Sequence, residues 1–121
     1  DVERFVGLPY DADTFDCADL VVLVQCELFG REVQLPNGRP RGARGQAALG
    51  DLSKPYGVRT DEPQDGDLVV MLQGGRPSHV GTYFFLAHEP RVLHVRAEGA
   101  FSELTPVREL ATPVDGVYRW V

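Results

Sequence analysis

Cysteine, lysine and long apolar runs are all scarce in this chain, and each scarcity removes a class of protein. Two cysteines among 121 residues are too few for a disulfide-built scaffold. With three histidines and neither a CxxC nor an HxxxH spacing, they form no recognisable zinc site, so neither a metal nor a cofactor is expected. Lys54 is the one lysine among 12 basic residues, which face 18 acidic ones. The resulting net charge of −6 argues against nucleic acid as a partner, since no basic footprint is present. No apolar run approaches the ~18 residues of a membrane helix, so no membrane partner is expected either. No basic stretch followed by an apolar run opens the chain, so no signal peptide is legible and the sequence alone leaves localisation open.

What is present suits one soluble globular domain over residues 1–121. The apolar fraction of 43% and the charged fraction of 25% are ordinary. Residues 1–8 read as the end of a short helix, and the run Asp11-Ala12-Asp13-Thr14 as a turn. Cys17 to Phe29 is the strongest helix. Leu20, Val21, Val24 and Leu28 recur on one face, and Val22 and Leu23 widen it, so burial on most sides is expected. Asp13, Thr14 and Asp16 are all suitable N-caps, and Gly30 is a natural stop. Residues 30–66 are rich in proline, glycine and arginine and read as a connection, with one short helix near Ala43–Leu52. From Asp67 the pattern turns to strands: Asp67–Leu72, a hairpin loop over Gln73–Ser78, then His79–Leu86, Arg91–Arg96 and Ala100–Thr105. Val107–Leu110 reads as one helical turn, and Val114–Val121 as the last strand. A helix followed by an antiparallel meander is an α+β pattern.

The arrangement places one thiol and two imidazoles where they can meet. Cys17 falls at a helix N-terminus, His79 opens one strand and His94 lies in the next, and paired strands run ~4.8 Å apart. This is the layout of a nucleophile, a base and an orienting group. A helix N-terminus and a protonated imidazole both lower a thiol's pKa, so a thiolate near neutral pH is expected at Cys17. Cys26 lies about half a helical turn round from Cys17 and ~13 Å away, which excludes a disulfide and suggests a packed core thiol. His88 sits in the turn Ala87-His88-Glu89-Pro90 and reads as a solvent-facing loop residue.

Gly7-Leu-Pro-Tyr10 followed by Phe15-Asp-Cys17-Ala-Asp-Leu20-Val resembles the "PY…DCSGLV" nucleophile segment of the NlpC-type cysteine peptidases (the NlpC/p-sixty superfamily). Gly66-Asp-Leu-Val69 with Ser78-His-Val-Gly-Thr-Tyr83 resembles the family's "GDLV…HVGIY" segment, and Val92-Leu-His-Val95 its third. The three occur in the family's order and span most of the chain. The ending Val114-Asp-Gly-Val-Tyr-Arg-Trp-Val121 resembles that of phage tail-associated members. The resemblance implies a papain-like α+β fold, its Cys-bearing helix packed on an antiparallel sheet of five to six strands. It implies Cys17 as nucleophile, His79 as base, His94 as orienting group and Tyr10 beside the oxyanion site with the Cys17 amide. The implied substrate is a peptidoglycan stem peptide, and phage tail proteins are the implied partners. The implied location is then a virion tail, or the bacterial cytoplasm before assembly.

Two departures stand out. Ala18-Asp19 replaces the usual Ser-Gly, and only residues 11–16 separate Tyr10 from Cys17, without the usual Gly-Gly. Asp16 matches the family's Asp and reads equally as an N-cap or as a contact to a substrate amine. Alternative readings of the same residues are a non-catalytic tail-assembly module, or a thiol acyltransferase or deamidase acting on protein, since hydrolysis and transfer share an acyl-enzyme. The chain leaves no room between its motifs for a wall-binding module, so a carrier such as a tail is expected to deliver it.

Overall fold

The structure, a computed structural model, describes residues 1–33, 35, 57–97 and 100–121. The strongest helix of the sequence forms as α1 over Cys17–Phe29. Its N-terminus is closed by a reciprocal capping box. The Asp16 carboxylate accepts from the Asp19 amide at 3.0 Å, and the Asp19 carboxylate accepts from the Asp16 amide at 2.9 Å. Gly30 ends the helix in the left-handed conformation that a non-glycine residue disfavours. Ahead of α1, a 3-10 turn spans Val2–Phe5, the remnant of the short helix expected over residues 1–8.

Among the described residues, six strands form one fully antiparallel sheet: β1 (Gly57–Arg59), β2 (Leu68–Gln73), β3 (Arg76–Leu86), β4 (Glu89–His94), β5 (Glu103–Pro106) and β6 (Val114–Trp120). Their order across the sheet is β1-β6-β2-β3-β4-β5. The expected meander holds for β2 to β5. β6, however, returns to lie between β1 and β2, so the last strand is interior, and β1 emerges from the stretch read as connection. The architecture is α+β: one N-terminal helix bearing Cys17, packed on a six-stranded antiparallel sheet.

The loop expected over Gln73–Ser78 contracts to a tight turn, because Gly74 and Gly75 both take positive φ, 61° and 77°. That is the demand of a two-residue hairpin turn. β3 therefore begins at Arg76, and His79 lies inside the strand rather than opening it. The expected third strand shifts to Glu89–His94 and the fourth shortens to Glu103–Pro106. The turn at Val107–Glu109 is 3-10. The helix expected near Ala43–Leu52 lies outside the described residues.

The core lies between α1 and one face of the sheet, with Leu20, Val21 and Val24 packed among Leu68, Val70, Val80, Phe84 and Leu93. These three helix side chains are almost wholly buried, each worth roughly 2 kcal/mol in apolar transfer. Gln25, also fully buried, hooks the helix to the sheet by donating to the Gly66 carbonyl at 2.8 Å. The Trp120 indole donates to the same oxygen at 2.9 Å. A smaller cluster of Val69, Met71 and Val92 fills the other face. Within α1 Cys26 and Glu27 are exposed, while Val22 and Leu23, expected to widen the buried face, are half-buried. Cys26, half a turn from the sheet-facing Cys17, is exposed, not a packed core thiol.

β3 and β4 approach closely at Gly81. A Cβ there would stand 2.5 Å from a Val92 methyl, 2.8 Å from the Leu93 carbonyl and 3.1 Å from the His94 Cβ. Gly81→Ala is therefore expected to lower unfolding free energy by about 2–3 kcal/mol in urea titration, because all three obstacles are main chain or stiff side-chain atoms. An unchanged midpoint would contradict this close packing.

Candidate functional site

Cys17 opens α1, which packs on β3, and His79 and His94 pair across β3 and β4. The capping box fixes the first turn, and Cys17 is its first helical residue. The chain reaches that turn through a short closed loop. Asp11 and Phe15 exchange both backbone hydrogen bonds at 2.8 Å, and the Asp11 carboxylate accepts from the amides of Asp13 and Thr14. The absence of Gly-Gly is thus met by an Asp-nucleated turn. Ala18 is buried in the core and Asp19 is committed to the capping box, so both residues have structural roles.

The backbone amide of Val80, the residue after His79, lies close enough to the Cys17 thiol to favour its charged form. Alternation along β3 gives Val80 and Phe84 to the core under α1, while the His79 ring meets that of His94. His79 Nε2 lies 2.8 Å from His94 Nδ1, with ring centroids 5.1 Å apart and the rings edge to face. Among the described residues, no hydrogen bond joins the thiol to either imidazole.

Beyond His94 the chain of contacts continues on β5. His94 Nε2 is 3.0 Å from Thr105 Oγ1, and Thr105 donates to Glu103 Oε1 at 2.7 Å. The other Glu103 oxygen pairs with Arg96 at 3.6 Å. Sequence reasoning overlooked Thr105 and Glu103. Their i, i+2 polar spacing on the strand beside His94 was the available signal, but only the register, which sets His94 opposite Glu103, makes it legible.

Tyr10 is half-buried against the core, and its amide donates to the Ala100 carbonyl at 3.0 Å. The segment Gly7–Tyr10 runs antiparallel to residues 100–102, tied by Ser102, whose amide donates to the Leu8 carbonyl and whose hydroxyl donates to Phe5. Asp16 serves as the N-cap and is buried. His88 lies exposed in the β3–β4 turn, with a positive φ of 62°. A cavity of about 590 Å³ lined by Val22, Cys26, Arg31 and Trp120 lies elsewhere, and its walls include none of Cys17, His79 and His94.

Burial dominates the electrostatics. Cys17 is 5% exposed, and desolvation pushes its thiol up to about 11. The amides of Val80, Ala18 and Cys17 pull the other way, and the Asp19 carboxylate adds to the rise. This overturns the expected thiolate: the helix N-terminus does lower the pKa, but by less than burial raises it. Burial likewise lowers His79 to about 3, assisted by His94 and Arg96. His94 falls to about 4, again chiefly through burial, with Glu103 opposing. At neutral pH the Cys17 thiol and both imidazoles are thus uncharged.

Among the described residues, no group of three or more His, Cys, Asp or Glu could hold a metal. Among the same residues, no helix is long and apolar enough to cross a membrane. No protein-family model matches the chain. A search of curated proteins likewise finds no significant match.

Two expectations follow. The unfolded chain protonates its histidines below about 6.5, whereas these two stay neutral in the fold down to about 4 and about 3. Stability should therefore fall as pH drops through this window, by about 1.4 kcal/mol per pH unit for each imidazole. Urea titrations at a series of pH values should show a shallower acid slope for His79→Gln than for the parent. An equal slope would mean that His79 titrates alike in both states. The second expectation concerns the thiol. In a Cys26→Ser background, iodoacetamide alkylation of Cys17 should keep rising above about pH 8 without levelling off near neutrality. A plateau between about pH 6 and 8 would reveal a stable thiolate instead.

Proposed function

We propose that this chain is a papain-like cysteine peptidase or amidase of NlpC type that hydrolyses amide bonds in peptidoglycan stem peptides as part of a phage or prophage tail. One observation carries the reading: His79 and His94 form a buried pair 2.8 Å apart, and His79 precedes Val80, whose amide acts on the Cys17 thiol. The order of the three sequence segments supplies the family.

Cys17 gives its proton to His79, and Sγ attacks the substrate carbonyl carbon. The oxyanion forms beside the Cys17 amide and Tyr10. His79 then passes the proton to the leaving amine as the C–N bond breaks, which leaves a thioester. Water, deprotonated by His79, attacks that thioester and releases the carboxylate and the thiol. His94 holds the His79 ring. Because the resting thiol is neutral, proton transfer belongs to the attack step. A turn of the Cys17 side chain towards His79 on substrate binding is part of that step, in keeping with catalytic contacts that tighten only with substrate in place. Asp16, the N-cap of α1, precedes the nucleophile, and the resemblance implies a contact from it to a substrate amine.

The test is mass spectrometry of muropeptides before and after incubation. Cys17→Ala should abolish cleavage, by on the order of a thousandfold or more, while keeping the parent's circular dichroism and melting profile. A second reading, a non-catalytic tail-assembly module on the same fold, is favoured by the strongly raised thiol pKa. It requires no cleavage by the parent protein and unchanged tail assembly in Cys17→Ala. Parent activity that survives Cys17→Ala would remove Cys17 from the mechanism.

A further inference from the structure

The contacts on β5 decide where the protons of both imidazoles sit. Glu103 presents carboxylate oxygens, which accept and do not donate. The single hydroxyl proton of Thr105 is therefore spent on Glu103 Oε1, at 2.7 Å. Towards His94 Nε2, 3.0 Å away, Thr105 can then only accept, so His94 Nε2 carries the proton. A neutral His94 protonated at Nε2 has a bare Nδ1, and that atom accepts from His79 Nε2 across 2.8 Å. A neutral His79 protonated at Nε2 has a bare Nδ1 as its other ring nitrogen. Arg96, paired with the second Glu103 oxygen, steadies the carboxylate at the head of the chain.

We infer that Thr105 and Glu103 are positioning residues that fix His79 and His94 as the Nε2-protonated tautomers, so that His79 Nδ1 is the basic atom of the site. The relay rests on the peptidase reading for its purpose, but not for its existence. Neither residue meets the substrate; each acts through His94. The neutral state on which the chain depends is that favoured by burial of both rings.

The experiment is long-range 1H–15N correlation NMR on protein labelled at histidine, near neutral pH, combined with the muropeptide assay. The parent should show both His79 and His94 with protonated Nε2 and bare Nδ1. Thr105→Val removes the acceptor at nearly constant volume and should leave His94 with a mixture of tautomers. Glu103→Ala, at a half-exposed position where folding is not at risk, frees the Thr105 hydroxyl to donate to His94 and should produce the same mixture. In both variants kcat should fall about tenfold or more with KM unchanged, and Thr105→Ser should restore both the tautomer and the rate. A parent protein with Nδ1 protonated on either histidine overturns the inference, as do variants with unaltered tautomers. Parent tautomers as stated, without muropeptide cleavage, support the relay and count against the peptidase reading alone.

Discussion

The seating of α1 on β3 is the constraint from which the rest follows. The helix is held at both ends. At its start, the capping box sets the direction of the first turn and Cys17 is buried in the core. Two turns later, Gln25 grips the Gly66 carbonyl, which Trp120 also holds from β6. Between these points Leu20, Val21 and Val24 fill the core. Gly66 leads directly into Asp67, whose carboxylate takes a paired contact from Arg119 at 3.0 and 2.9 Å. The Gly-Asp step therefore joins helix, β2 and β6 in one place. A shift of the helix along the sheet would break the Gln25 bond and move the thiol away from β3 together.

The same burial that gives the site its geometry removes its charge. Desolvation raises the thiol and lowers both imidazoles, so each group is pushed towards its neutral form. Neutrality is what permits the hydrogen-bond chain from Glu103 to His79 to have a direction. With charged rings, each nitrogen would donate and the order of donors and acceptors would fail.

Much of this was legible from residue types. The boundaries of α1, the cap at Asp16, the stop at Gly30 and the exposed turn at His88 follow from local rules that act within a few residues. The proximity of His79 and His94 was also foreseeable, since neighbouring strands carry their side chains side by side. Other features were not. Cys26 was read as core because α1 was expected to be buried on most sides, yet that thiol is exposed. β3 was begun too late because Gly74 and Gly75 complete a turn in two residues. β1 was missed because three residues, two of them exposed, show no alternation, and only pairing with β6 makes them a strand.

The sequence by itself determined the helix, the strand-rich second half and the residue types that could act together, because capping, turn chemistry and periodicity are local. Tertiary structure alone decided the strand order, the place of β6, the contact of Thr105 and Glu103 with His94, and the protonation of Cys17. The first three depend on register between segments far apart in the chain. The last depends on how much water the packed fold removes, which no run of neighbouring residues records.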